Sequence, residues 1–289
     1  MPATVIDGVA LAGKVKDEVR LRVEALAARG RSVHLAALLV GGSPSAELYA
    51  QRQGEGCRAL GIRYTLTKLP ESVTQRELKQ QIRQLNQDAA VTGIMMHLPL
   101  PPHLDAARLQ FEIDVVKDVE GVNPANIGYV VYGHTLIAPS TALAALELIK
   151  STLREIRGAE AVVVGASQIV GKPVALLLAE QMATVTLCHI ATRDLRAHTR
   201  RADILVVAVG KPGLITAGHV KDGAVVVDVG INRVTAADGT KKTVGDVDFD
   251  AVKEKAGFVT PVPGGVGPMT VAMLLRNTVR SAEIMFEGT

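Results

Sequence analysis

The 289 residues contain no tryptophan, and only 3% are aromatic. A core built from them must therefore be aliphatic, carried by Val, Leu, Ile and Ala. Cysteine is almost as scarce. Cys57 and Cys188 stand far apart and form neither a metal-ligand pattern nor a disulfide framework, which suits a reducing compartment. No run of about 18 apolar residues occurs, so no membrane-spanning segment is expected. The amino terminus, "MPATVIDGVALAGKVKDE", meets charge too early for a secretory signal, and a cytoplasmic location is expected. Neither sign of charge dominates: the formal net charge is +3. Lys and Arg are scattered, without a basic stripe interleaved with aromatics, so nucleic acid is not an expected partner. The densest basic run (Arg193, Arg196, Arg200, Arg201) reads as a solvated helix face. There is no low-complexity linker and no internal repeat.

What is present is a chain with 48% hydrophobic and 21% charged residues, long enough for two domains of ordinary size or one large one. Residues 9–29 carry apolar positions at helical spacing (Val9, Leu11, Val15, Val19, Val23, Leu26) and stop at Gly30. "VHLAALLVGG" is a buried strand. A helix follows from Pro44, with Ser43 as its expected cap, and ends near Gly61. Tyr49 and Gln53, four apart, share a face of it. "IRYTLTKL" is a strand. "TQRELKQQIRQLNQD" is a helix with Thr74 and Glu77 spaced as a capping box. "VTGIMMHLPLPP" is a third strand that runs into prolines. After Pro139 the alternation restarts: helix, then "AEAVVVGASQIVGKPVALLLAEQ" as strand, loop and helix, then three short apolar runs. A closing helix, "GPMTVAMLLRNTVRSAEIMF", is expected to start at Pro268. Alternating strands and helices imply an α/β fold with parallel sheets covered by helices.

Two loops stand out. In "VVVGASQIVGKP" a buried strand meets a helix through Gly165, Ser167 and Gly171. Ser167 occupies the place of the second glycine of the G-x-G-x-x-G fingerprint, yet the physical logic persists. Gly165 allows the tight turn, Ser167 is small and can donate to phosphate, and the helix N-terminus attracts anions. "VAVGKPG" and "VDVGINR" add glycine-bearing strand ends at the same C-terminal edge, where ligands bind in open parallel sheets. In "TPVPGGVGPMT" the φ-fixing prolines 261, 263 and 268 alternate with glycines 264, 265 and 267. That composition gives either a rigid loop whose backbone approaches a flat ligand, or an elaborate turn ahead of a helix.

"PVPGGVGPMT" resembles the C-terminal signature of the methylenetetrahydrofolate dehydrogenase/methenyltetrahydrofolate cyclohydrolase (FolD) family. "ELKQQIRQLNQDAAVTGIMMHLPLP" resembles the other family signature. "GASQIVGKP", "VAVGKPG" and "VVVDVGINR" follow the family's nucleotide-binding domain in order. The resemblance covers essentially the whole chain. It implies two domains around a cleft: a folate/catalytic domain over residues 1–139, completed by the helix of about 270–289, and a Rossmann-like NAD(P)-binding domain over 140–269. It implies a homodimer, a tetrahydrofolate derivative as substrate, and NAD or NADP as cofactor. By the same resemblance, Gly165, Ser167, Ile169, Gly171, Arg193, Gly210, Ile231 and Thr270 fall to the cofactor. The substrate takes Tyr49, Glu120, Val262, Pro263, Gly264 and Gly265, with a folate analogue expected between Tyr49 and the "VPGG" backbone. Family members transfer a hydride from the folate's methylene bridge to the nicotinamide, then add water to the resulting methenyl cation and open the ring.

Four departures fall in the folate half. The family lysine four residues after the tyrosine is Gln53. The family glutamine of "QLP" is His97. The aspartate of "DVDG" is Glu120, and "P-x-T-P-x-G" has become "PSTALA". Tyr49, Gln53, His97 and Glu120 are thus the candidate catalytic set. An amide neither titrates nor carries charge in this range, which argues against an ordinary cyclohydrolase. His97 is either a proton-exchanging group near neutral pH or a strand-end hydrogen-bonding residue. No metal site is expected, since His97 and His103 lie six apart across prolines. At the cofactor end, Ile190 and Ala166 stand where the family tends to place partners for the 2′-phosphate of NADP. An isoleucine cannot pair a phosphate, so NAD use is expected, with Arg193 the remaining cation nearby. Three readings follow: a dehydrogenase without cyclohydrolase activity, a non-redox folate-dependent lyase or one-carbon transferase with a second small-molecule substrate, and a non-catalytic folate-binding paralogue.

Overall fold

The computed structural model describes residues 2–42, 44–235 and 239–287. The Ser43 cap expected for the second helix lies outside the described residues. In chain order the first half contains β1 (Thr4–Val5), α1 (Gly8–Ala27), β2 (His34–Val40), α2 (Pro44–Ala59), β3 (Arg63–Leu69), α3 (Gln75–Gln87), β4 (Gly93–Met96), α4 (Ala106–Gln110) and α5 (Pro124–Val131). The second half contains α6 (Ser140–Ser151), β5 (Glu160–Val164), α7 (Gly171–Glu180), β6 (Thr184–Cys188), α8 (Leu195–Thr199), β7 (Ile204–Val207) and β8 (Val225–Asp228). It closes with β9 (Asn232–Thr235), β10 (Lys241–Val244), α9 (Phe249–Lys253), β11 (Phe258–Val259) and α10 (Val266–Glu287).

Two compact units result. One holds residues 14–138 and 274–289, the other residues 1–13 and 139–273. The expected 1–139 boundary therefore differs at the amino terminus. The reason is strand pairing: β1 lies parallel to β11, with Thr4 opposite Phe258 and Val5 opposite Val259, which ties the first residues to the six-stranded sheet. That strand is two residues long, too short to announce itself by periodicity.

The first unit is built on a three-stranded parallel sheet in the order β3-β2-β4. All seven residues of β2 are buried, as a central parallel strand covered on both faces must be. Leu78 and Ile82 of α3 meet Leu38, Ile94 and Met96 of the sheet in one aliphatic core. The capping box forms as spaced: Glu77 N donates to Thr74 Oγ1, and Thr74 N donates back to Glu77 Oε2. In α1, Val15, Val19, Val23 and Leu26 are buried, but Val9 is exposed and Ala12 replaces it inward.

The second unit is a six-stranded sheet, β1-β11-β8-β7-β5-β6, parallel throughout. Its central strands β5, β7 and β8 are valine-rich and buried. After β5 the chain passes to β6 on one side and then to β7 on the other, so the strand order reverses at the C-terminal end of β5. Such a reversal opens the crevice where open parallel sheets take ligands. Helix α10 starts at Val266 rather than Pro268. Pro268 sits in the first turn, where its missing N–H leaves no intrahelical bond unmade.

Candidate functional site

In the three-stranded unit, α2, β3 and the residue that follows β4 bring four side chains together. His97 follows β4 directly, and its N–H donates to Leu38 O at 2.9 Å, extending the ladder by one residue. Its ring is buried. The Tyr49 ring stands edge-on to it, centroids 5.9 Å apart and planes at 89°. Tyr49 itself is more than half exposed, whereas Gln53, one turn along α2, is buried. The Tyr64 hydroxyl donates to Gln53 Oε1 at 3.4 Å and shares a hydrogen bond with His97 Nε2 at 3.3 Å. The sequence-derived candidates Tyr49, Gln53 and His97 therefore belong to one group, joined by Tyr64.

Electrostatics keep this group neutral near pH 7. Burial lowers the His97 pKa. Burial also raises Tyr64 far above the usual phenol range, and raises Tyr49, with a smaller push from the charge of Glu120. That last effect places Glu120 electrostatically within reach of Tyr49. The Glu120 carboxyl is pushed up to about 7, first by burial and then by Asp118. Its Oε2 is closed off from solvent and has no hydrogen-bond partner. A buried, unpaired acceptor of this kind is suited to ligand N–H donors. Asp118, by contrast, is saturated: it accepts from Gly121 N, Asn123 N and Asn126 Nδ2. It folds the loop that presents Glu120. The helix α10 supports the same loop, since Asn277 Nδ2 donates to Val119 O and to Ala138 O. His103 turns away to Val73 O at 3.0 Å. Among the described residues no cluster of three His, Cys, Asp or Glu is placed to hold a metal ion.

In the six-stranded unit, Gly165 ends β5 at φ +114°, and a Cβ there would lie 2.1 Å from Ala208 O. A Cβ on Gly171, at the start of α7, would lie 1.7 Å from Gly165 O. The two glycines thus let strand, loop and helix close on one another, as a dinucleotide cradle requires. Ser167 Oγ accepts from Gly171 N at 3.2 Å, which leaves the hydroxyl proton free to donate outward. Gly210, at φ +69°, lies beyond β7. Its N–H and that of Val209 both donate to Asp246 Oδ2, while Asn232 Nδ2 donates to Asp246 Oδ1. One buried carboxylate therefore positions the loops after β7 and β8. Ile169 and Ile231 are exposed at this edge, and Ile190 is fully exposed. Arg193 is exposed too. Thr270 Oγ1 is turned back onto Val266 O at 3.1 Å inside α10.

Val262, Pro263, Gly264 and Gly265 form the turn ahead of α10. They line a cavity of about 230 Å³ together with Asp228 and Ile231. Gly264 has φ +109°, and a Cβ on Gly265 would collide with Pro261 O and Thr260. A Cβ on Gly8 would lie 2.0 Å from Gly265 O. The double glycine thus serves backbone-to-backbone packing as well as access. The four arginines of the basic run are exposed around α8, as a solvated face should be.

Tyr64, Asp118 and Asp246 escape a reading of the sequence. Strand alternation puts Tyr64 on the face of Leu66 but says nothing of its reach to His97. The two aspartates act through loop backbone, which carries no periodic signal.

The carboxy-terminal part, residues 139–286, matches the model for the tetrahydrofolate dehydrogenase/cyclohydrolase NAD(P)-binding domain. Residues 6–120 match the catalytic domain of the same family. The chain is 46% identical over 280 residues to the bifunctional protein FolD of Nautilia profundicola, covering 97% of both chains. It is 48% identical over 282 residues to that of Moorella thermoacetica, covering 98% of this chain and 99% of the relative. The crystal structure of the FolD methylenetetrahydrofolate dehydrogenase/cyclohydrolase of Campylobacter jejuni superposes with a TM-score of 0.92 at 43% identity, covering 98% of this chain and 99% of that one. With both domain models matched in order and relatives similar along nearly their full length, the chain belongs to the tetrahydrofolate dehydrogenase/cyclohydrolase family.

Proposed function

We propose that this protein is a methylenetetrahydrofolate dehydrogenase, using NAD or NADP, in which the cyclohydrolase step has been lost. The observation that carries this reading is the neutral Tyr64–Gln53–His97 group. Oxidation of the methylene bridge removes a hydride and leaves a cation spread over two nitrogens. It needs alignment of two bound reactants and tolerance of positive charge, but no proton transfer. Gln53 brings no positive charge beside that cation, where a lysine would. Glu120 offers a nearly isolated carboxyl for the folate's N–H donors, one methylene longer than an aspartate.

Ring opening makes different demands. Water must add and protons must move. Gln53 cannot donate as an ammonium does, and burial holds His97 unprotonated. The relatives are named bifunctional, so the assay on this protein must follow both reactions. Gly165, Ser167, Gly171, Gly210 and Ile231 would hold the dinucleotide, whose nicotinamide supplies the hydride acceptor when bound. Ala166 and the exposed Ile190 offer no charge for a 2′-phosphate, so NAD is expected to serve at least as well as NADP.

The test is purified protein with methylenetetrahydrofolate and either nucleotide. Growth of NAD(P)H absorbance with persistence of the methenyl product supports the reading. Absence of NAD(P)H, with a one-carbon adduct forming on an added amine, would favour the non-redox lyase or transferase instead. Tenfold tighter binding of NADP over NAD would overturn the cofactor expectation and direct attention to Arg193.

A further inference from the structure

We propose that Tyr64 is the positioning residue of this site: by donating to Gln53 and accepting from His97, it fixes His97 with its proton on Nε2 and its lone pair on Nδ1. The inference deepens the dehydrogenase reading above and rests on it for its catalytic meaning; the proton assignment rests on the orientation of the Gln53 amide.

The assignment follows from counting protons. The Tyr64 hydroxyl has one. It contacts two groups, Gln53 Oε1 at 3.4 Å and His97 Nε2 at 3.3 Å. The Gln53 amide is oriented with Oε1 toward the hydroxyl, and with that orientation the hydroxyl proton goes to Gln53, since a carbonyl oxygen only accepts. The other contact then has to be a donation from the ring, which puts the imidazole proton on Nε2. Nδ1 makes no hydrogen bond to any described residue. The neutral ring therefore offers its unshared pair there. A lone pair is the electron-rich end of the imidazole, and it stabilises a cation formed nearby. The opposite tautomer would present an N–H and oppose it.

A second, independent feature points to Tyr64. Gly54 sits in the interior of α2, next to Gln53, where glycine costs roughly 1 kcal/mol against alanine. A Cβ on Gly54 would lie 2.7 Å from Tyr64 Cδ1 and 2.9 Å from Cε1. The ring is thus seated against bare backbone of the helix that carries both Tyr49 and Gln53. The cost in helix propensity is explained by the space the tyrosine needs to reach across the sheet from β3 to His97. Burial raises the Tyr64 hydroxyl above the already high phenol range, so its proton stays in place for this role.

The experiment is nitrogen-15 NMR of histidine-labelled protein at pH 8, without ligands. His97 is assigned by loss of its signals in His97→Gln. The wild type should show the neutral Nε2–H tautomer. Tyr64→Phe removes only the hydroxyl and should convert the signals to a mixture of tautomers. Gly54→Ala, which displaces the ring and leaves the hydroxyl chemistry intact, should do the same. In the assay, Tyr64→Phe should lower kcat for methylenetetrahydrofolate oxidation roughly three- to tenfold, the loss expected for one hydrogen bond, with KM little changed. An Nδ1–H tautomer in the wild type, or signals unmoved in both variants, would overturn the proposal. If the wild type forms no NAD(P)H while its tautomer is as stated, the dehydrogenase reading falls and the assignment of Tyr64 as the residue orienting His97 is upheld.

Discussion

Glu120 has a carboxyl whose folded-state pKa of about 7 lies above its ordinary 4.5. The sign of the consequence is fixed by linkage. Between those values the folded protein holds a proton that the unfolded chain has released, so stability falls as pH rises. The contribution is complete below about 4.5 and is lost as pH passes through about 7. Glu120→Gln removes the cost of charging a buried acid. It should therefore be more stable than the wild type at pH 8, by on the order of 3 kcal/mol at most. The difference should vanish near pH 4. Denaturant melts at the two values check this; a variant less stable than the wild type at pH 8 would show that the carboxylate is paired. Tyr49 makes a different kind of contribution, through its half-exposed ring. Tyr49→Ala should weaken binding of a folate analogue by roughly 1–3 kcal/mol, the range for a lost aromatic contact and its area. Calorimetric titration showing unchanged affinity would remove Tyr49 from the site.

At the scale of elements, the loops matter more than the helices they join. Thr74→Ala should destabilise the three-stranded unit by about 1 kcal/mol, as loss of an N-cap does, with kinetic constants unmoved. Gly171→Ala should act on function instead. Its methyl group would meet Gly165 O at 1.7 Å, so the start of α7 must retreat from the loop, and nucleotide affinity should drop at least tenfold in a fluorescence titration. This contrast marks what the sequence made legible. β2, α3 and β5 were readable because each is set by local patterning: an unbroken apolar run, a capping box, a valine-rich strand closed by glycine. The pairing of β1 with β11 was not, because two residues carry no period and the partner lies some 250 residues on. The site shows the same division. Tyr49, Gln53, His97 and Glu120 stand in recognisable motifs. Tyr64 and Asp246 act through long-range hydrogen bonds, which no spacing rule foretells. The domain boundary at the amino terminus differed for the same reason as β1.

At the scale of the molecule, the two units divide the chemistry. Gly165 and Gly171, where we propose that the nucleotide binds, belong to the six-stranded unit, and Gln53, His97 and Glu120 belong to the three-stranded one. Water addition and ring opening consume no nucleotide, so the two activities should be separable by variants in different units. The wild type should show no appreciable cyclohydrolase activity. Gln53→Lys alone should restore little, because Tyr64 now ties that position to His97, and residues acting as a unit are not additive. Restoring three positions together (Gln53→Lys, His97→Gln, Glu120→Asp) should recover more activity than the single changes summed. Adding Gly165→Val to that triple variant should abolish NAD(P)H formation, since a Cβ at Gly165 already meets Ala208 O at 2.1 Å and β-branching worsens the clash. Ring opening should survive the addition. The measurement is loss of methenyl absorbance, corrected for the uncatalysed reaction, alongside NAD(P)H formation and a thermal melt to confirm folding. Robust hydrolysis by the unmodified protein would refute the lost cyclohydrolase and make His97 the first group to examine as its proton carrier. Joint loss of both activities in the folded quadruple variant would show instead that the nucleotide loop also supports the folate chemistry.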